Sequence, residues 1–122
     1  MVKLTFCLHR LPTLSFEEFS HYWGAVHAPL VAARAPLLGI RRYVQVRTVD
    51  APALHAALQR RNGGAPEPFD GIAELWFDDV ESFTAARDPD AQQASRELLE
   101  DERRFIDLAR SPMWLGDERV IL

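Results

Sequence analysis

Trp23 and His27 stand four residues apart in the stretch Ser15-Phe-Glu-Glu-Phe-Ser-His-Tyr-Trp-Gly-Ala-Val-His-Ala-Pro-Leu30. At ~100° per residue, Phe16, Phe19, Trp23, Val26, His27 and Leu30 share one stripe of a helix. A helix buries its apolar stripe, so His27 is carried inward beside a Trp, while His21 projects from the opposite side. Near neutral pH an imidazole can give or take a proton, which is the chemistry an isomerase, cyclase or dehydratase needs. The same ring can instead bond a carbonyl freed where Pro29 removes an amide donor, and so only fix the helix end. Trp23 at helical spacing is first a packing residue, and as packing it can still wall a pocket.

Other candidates sit on strand-like segments. Tyr43 and Gln45 alternate with Arg41 and Arg47 on one face, where they could hold a substrate carbonyl or meet a partner subunit. Glu74 and Trp76 share a face with Ile72. A carboxylate among apolar neighbours invites an acid or base role, and a cross-strand ion pair with an arginine of the second strand is the stronger alternative. Asp70 before Gly71 reads as turn chemistry. His9, His21, His27 and His55 lack metal-ligand spacing, and Cys7 with His9 on one strand face does not make a site. Gly63-Gly64 lacks the strand and helix of a phosphate loop, and no nucleophile elbow is present. Neither metal nor cofactor is indicated.

The elements that must position these groups follow from periodicity. Val2 to His9 alternates as a strand with Val2, Leu4, Phe6 and Leu8 on one face. Leu11-Pro12-Thr13 turns, and Ser15 with Glu18 forms a capping box that starts the first helix. Pro29 predicts a kink or an end, although the apolar pattern runs on to Ala35, and Pro36-Leu-Leu-Gly39 reads as a terminator. Ile40 to Val49 reads as the second strand. Asp50 to Phe69 is a long connection with a short helix at Ala53–Arg61, of the kind that serves as lid, binding loop or interface arm. Ile72 to Phe77 is the third strand. Asp78 with Glu81 caps a short helix through Arg87, and Asp88-Pro89 breaks it. A longer helix spans Asp90 to Ala109, with Leu98, Leu99, Phe105, Ile106 and Ala109 inward and the acidic run Glu97 to Glu102 as a solvated face. Met113 to Leu122 is the last strand.

The chain has 122 residues, 48% hydrophobic and 26% charged, which is one ordinary globular domain. A net charge of −4 argues against a nucleic-acid partner. The lone Cys7 fits a reducing compartment. No apolar run approaches the ~18 residues of a membrane span, and the N-terminus carries no signal-like segment, so a cytoplasmic protein is expected.

The order strand, helix, strand, strand, helix, strand is that of an α+β, ferredoxin-like βαββαβ sandwich: a four-stranded antiparallel sheet with both helices on one face. Three segments carry a closer resemblance: Phe16 to Leu30 with its Trp-x3-His-x-Pro core, Gly39-Ile-Arg-Arg-Tyr-Val-Gln45, and Phe69-Asp-Gly-Ile-Ala-Glu-Leu-Trp-Phe77 running into residues 105–112. Together, over essentially residues 1–122 as a single domain, they resemble the EthD family of dimeric α/β-barrel proteins. The resemblance implies a homodimer joined through its sheet faces and a pocket between sheet and helices in each subunit. It also implies kinship with polyketide cyclases and muconolactone isomerases, which need no cofactor.

The reading is a cofactor-independent enzyme acting by proton transfer, through cyclisation, dehydration or isomerisation, on a small aromatic, polyketide-like or lactone-like substrate. His27 and Glu74 are the acid/base candidates, with Trp23, Tyr43, Gln45 and Trp76 holding the substrate. The alternatives are a cofactor-free monooxygenase or other oxidoreductase component, a non-catalytic binder of a hydrophobic metabolite, and a structural dimer with a filled core.

Overall fold

The computed structural model describes residues 1–85 and 87–122. Four antiparallel strands, β1 (Val2–Leu8), β2 (Arg42–Arg47), β3 (Gly71–Phe77) and β4 (Met113–Asp117), pair in the order β2-β3-β1-β4. This is the ferredoxin-like arrangement that the element order predicts. The register sets Leu4 opposite Leu75 and Leu115, and Phe6 opposite Ala73, so the even positions of β1 and the odd positions of β3 make one apolar face. That face carries the core of Phe6, Leu8, Ala73, Phe19, Trp23, Phe105 and Ile106.

Helix α1 (Phe16–Tyr22) starts at Ser15, whose side chain and that of Glu18 satisfy each other's backbone amides. Pro29 does not end the helix. The chain widens into a π-helical turn over Trp23–His27 and continues as α2 (Ala28–Leu38). The Ala28 amide reaches back to the Trp23 carbonyl across this turn. An inserted residue of this kind is a common way to absorb a proline that withholds one amide. Pro36 likewise lies inside α2, which stops at Gly39 with φ 73°, a left-handed cap suited to glycine.

The π turn also re-aims the expected stripe. Phe19, Trp23, His27 and Val31 are buried at successive spacings of four, whereas Val26, placed on the stripe by ideal helical periodicity, is 46% exposed. Trp23 lies flat enough on β3 that a Cβ at Gly71 would sit 2.5 Å from its indole ring.

After β2, the connection holds α3 (Pro52–Arg61), close to the expected helix, with no buried residue. Helix α4 (Val80–Thr84) is capped by Asp79 rather than Asp78 and is shorter than expected; the end through Arg87 crosses residue 86, outside the described residues. Helix α5 (Pro89–Glu102) is capped by Asp88. It ends before Phe105 and Ile106, which are buried as an irregular segment, with Ile106 bridged to Arg10. Leu99 is exposed, contrary to its expected inward position, and so is Ala109. Strand β4 stops at Asp117, five residues short of the expected end.

Candidate active site

His27 enters the interior between α1 and α5. Its Nδ1 lies 2.7 Å from Oδ2 of Asp101, and the Tyr22 hydroxyl donates to Oδ1 of the same carboxylate at 2.5 Å. His27 is 5% exposed and Asp101 9%, so the pair is shielded from solvent. Burial pushes the Asp101 carboxyl up, but the hydrogen bonds from Tyr22 and His27 prevail and hold it below its ordinary value. An ionised carboxylate can only accept, so Nδ1 carries the proton and Nε2 keeps the lone pair. Burial lowers the His27 pKa against the opposing pull of Asp101, which keeps the ring neutral and basic near pH 7. Phe105 packs on the ring at 5.0 Å between centroids.

A cavity of about 40 Å³ opens beside this histidine. Among its walls are Trp23, His27, Tyr43, Ala73, Leu75 and Glu102. Glu102, at the last turn of α5, has its carboxyl pushed up to about 7 by burial and by the neighbouring charge of Asp101. It is therefore partly protonated at neutral pH and can donate where His27 accepts. The Tyr43 hydroxyl, raised by burial, stays a protonated donor. Gln45 fixes it: the amide donates to the Tyr43 hydroxyl at 2.8 Å and to the Trp23 carbonyl at 3.0 Å. That carbonyl belongs to the π turn, so the departure from ideal helix holds together the groups that line the cavity.

The structure thus brings His27, Trp23, Tyr43 and Gln45 to one place. It places Glu74 and Trp76 elsewhere. Both project from the opposite face of the sheet, because positions 72, 74 and 76 alternate with the helix-facing 73, 75 and 77. Glu74 pairs with Lys3 at 2.6 Å, not with a strand β2 arginine. Trp76 is buried under Arg42, whose guanidinium carbon lies 4.6 Å from the ring, and its indole donates to Glu118. Asp70 does more than turn the chain: it binds the Arg10 side chain at 2.5 Å and the Arg10 amide at 2.8 Å. Among the described residues, no three of His, Cys, Asp and Glu gather as a metal site.

A family model, the EthD domain, matches residues 11–109. The chain belongs to the EthD family. Decarboxylase AgnL1 of Paecilomyces divaricatus is 29% identical over 114 residues, covering 93% of this chain and 75% of that protein. Dehydratase aurZ of Gibberella zeae is 28% identical over 119 residues, covering 95% and 76%. Among solved structures, an EthD family protein of Bacillus halodurans superposes with TM-score 0.61 at 21% identity over 98% of this chain and 100% of the other. A dimeric protein of unknown function and ferredoxin-like fold from Bacteroides fragilis does so with TM-score 0.57 at 13% identity over 96% and 95%. SnoaB of Streptomyces nogalater, a cofactor-independent oxygenase, gives TM-score 0.51 at 18% identity over 99% and 93%. These three share the fold with this EthD-family chain.

Three acidic residues of this EthD domain escape a reading of the run Glu97 to Glu102 as a solvated face. Glu97 binds Arg34 of α2 at 2.8 Å, Asp101 is buried, and Glu102 is half-buried at the cavity. The signal that could have found them is helical spacing. Ala91, Ala94, Leu98 and Phe105 recur at three, four and seven residues, and Asp101 and Glu102 fall on that same apolar line.

Proposed function

We propose that this EthD protein is a cofactor-independent lyase that dehydrates a small aromatic or polyketide-like ketone by acid/base proton transfer. The observation that carries this reading is the pairing, around one cavity, of a neutral histidine oriented by Asp101 with a carboxyl of raised pKa on Glu102. On a β-hydroxy ketone, Nε2 of His27 removes the proton α to the carbonyl. The C–H electron pair becomes the new C=C bond, the C–O bond breaks, and Glu102 supplies the proton with which the hydroxyl leaves as water. Tyr43, held by Gln45, donates to the carbonyl oxygen as negative charge develops there. Trp23 supplies an aromatic wall.

A cavity of about 40 Å³ admits a guest on the scale of one water molecule. A ring therefore enters only as half-buried wall residues such as Leu75 and Leu98 swing aside. The name of the dehydratase relative supports the choice of elimination over isomerisation or cyclisation. The name of the decarboxylase relative favours a second reading on the same groups: a C–C bond breaks, carbon dioxide leaves, and Glu102 protonates the carbon. Glu74 and Trp76, on the far face, have no part in either.

We further infer that two copies join through that far face, where Val44 and Ile72 are half-buried and Val46 and Trp114 exposed. No helix among the described residues is long and apolar enough to cross a membrane.

The test is turnover of a bicyclic β-hydroxy ketone, hydroxytetralone, to naphthol, followed by naphthol fluorescence with and without oxygen. Equal rates in both conditions support dehydration. A requirement for oxygen would shift the assignment to the oxygenase chemistry named for SnoaB. Tight binding of hydroxytetralone with no product from it would point to a binder.

A further inference from the structure

A second, larger opening lies just beyond the C-terminal ends of β1 and β2 and the start of β3. It measures about 610 Å³, and none of its lining residues lines the His27 cavity. One wall is α3, which stands off the body: Leu54 and Leu58 remain 57% and 49% exposed. The arm is clamped at its neck, where the Thr48 hydroxyl donates to the Phe69 carbonyl at 2.6 Å and the Thr48 amide to the Asp70 carbonyl at 3.1 Å. The groove stands between α3, which contributes Pro52, His55, Ala56 and Gln59, and residues 67–70.

Two features of the groove define a ligand. The first is aromatic: Phe16 and Phe69 line it, and the His9 ring packs against Phe69 at 4.6 Å between centroids, fixing that ring in place. The second is charge. Glu17, Asp50, Glu67 and Asp70 all border the groove. Arg10, the arginine on its wall, already binds Asp70 at 2.5 Å and the Leu14 carbonyl at 3.0 Å. Flat apolar walls accept a ring, and carboxylates accept hydrogen bonds from hydroxyl groups while repelling another anion.

We propose that this groove binds a neutral, polyhydroxylated aromatic molecule and discriminates against the corresponding ring carboxylic acid. The ring lies between α3 and the two phenylalanines, and its phenolic hydroxyls donate to the carboxylates of Asp50, Glu67 and Glu17. This site does not depend on His27 being catalytic.

The test uses naphthoresorcinol and a matched hydroxynaphthoic acid, titrated into the purified protein by calorimetry and by amide NMR. The diol is expected to bind about tenfold or more tightly than the acid, shifting amides of α3 and of residues 67–70. Ala56→Trp, on exposed α3 where the core is not disturbed, is expected to abolish diol binding. The Asp50→Lys, Glu67→Lys double variant is expected to reverse the preference toward the acid. Equal affinity for the two compounds, binding unchanged in Ala56→Trp, or no shift of groove amides overturns the proposal. Loss of diol binding in His27→Ala would also overturn it, by placing the ligand in the other cavity.

Discussion

Nδ1 of His27 and Oδ2 of Asp101 lie 2.7 Å apart across 74 residues of chain, joining the π turn of the first helix to the last turn of α5. The contact fixes three things together: the tautomer of the ring, the ionised state of the carboxylate, and the docking of two helices. It is the third hydrogen-bond partner, Tyr22, that makes the arrangement asymmetric, by occupying the other carboxylate oxygen.

Asp101→Asn keeps the shape of that side chain but removes the charge that selects the Nδ1–H tautomer. The rate of hydroxytetralone dehydration is expected to fall by ~10²-fold or more, in the range that general acid–base groups contribute. Imidazole nitrogen NMR should show His27 shifting from a single Nδ1–H form to a mixture. Stability is expected to drop by about 1–3 kcal/mol, because a buried partner is left badly paired. An unchanged rate with an unchanged tautomer would remove Asp101 from the site.

Glu102→Gln tests the acid. The proposed elimination requires neutral His27, whose pKa is lowered by burial, and protonated Glu102, whose carboxyl is pushed up to about 7. The rate profile is therefore expected to be bell-shaped, with its acid limb below the ordinary histidine value and its alkaline limb near 7. Glu102→Gln should lose most of the rate. Stability responds with a defined sign. The folded state holds the Glu102 proton up to about 7 while the unfolded chain releases it near 4.5, so stability falls as pH rises through that interval. His27 acts oppositely, since its lowered pKa means that the unfolded chain binds the proton first and stability is lost as pH falls below 6.5. In denaturant titrations, Glu102→Gln is expected to abolish the decline between pH 5 and pH 8, an effect of up to about 3 kcal/mol. A decline that persists in the variant would mean that Glu102 titrates normally.

Much of this was legible in the sequence. The alternation in β1 and β3 reads directly as a one-faced sheet, and the capping box at Ser15 and Glu18 marks the start of α1. His27, Tyr43 and Gln45 are each reachable from residue type and spacing. Strand parity leaves the facing of Tyr43 open, because only the packed helices decide which face is inside. Glu74 misleads for the same reason: a carboxylate between apolar residues looks the same whether its face meets helices or Lys3. Val26 misleads because the π turn adds a residue that ideal periodicity does not count. Asp101 is hidden by its charged neighbours, and its partners lie too far away in sequence for any local pattern to join them.

The far face of the sheet offers a test that leaves the cavity untouched. Trp114 on β4 is 53% exposed and Val46 on β2 is 45% exposed, each on the side away from the helices. Trp114→Lys combined with Val46→Lys is expected to convert a dimer into a monomer in light scattering, with the fold retained by circular dichroism. A protein already monomeric, or a dimer unaffected by both charges, would show that this face is not the interface.

Whether His27 moves the proton is tested directly by His27→Ala. The maximal rate of hydroxytetralone dehydration and the Kd for the same compound are measured separately in the wild type and the variant. A base that acts only in the transition state predicts a rate lower by ~10²-fold or more, with Kd changed by no more than about threefold. A rate that is unchanged, or that falls only as far as affinity does, would show that His27 is not the base.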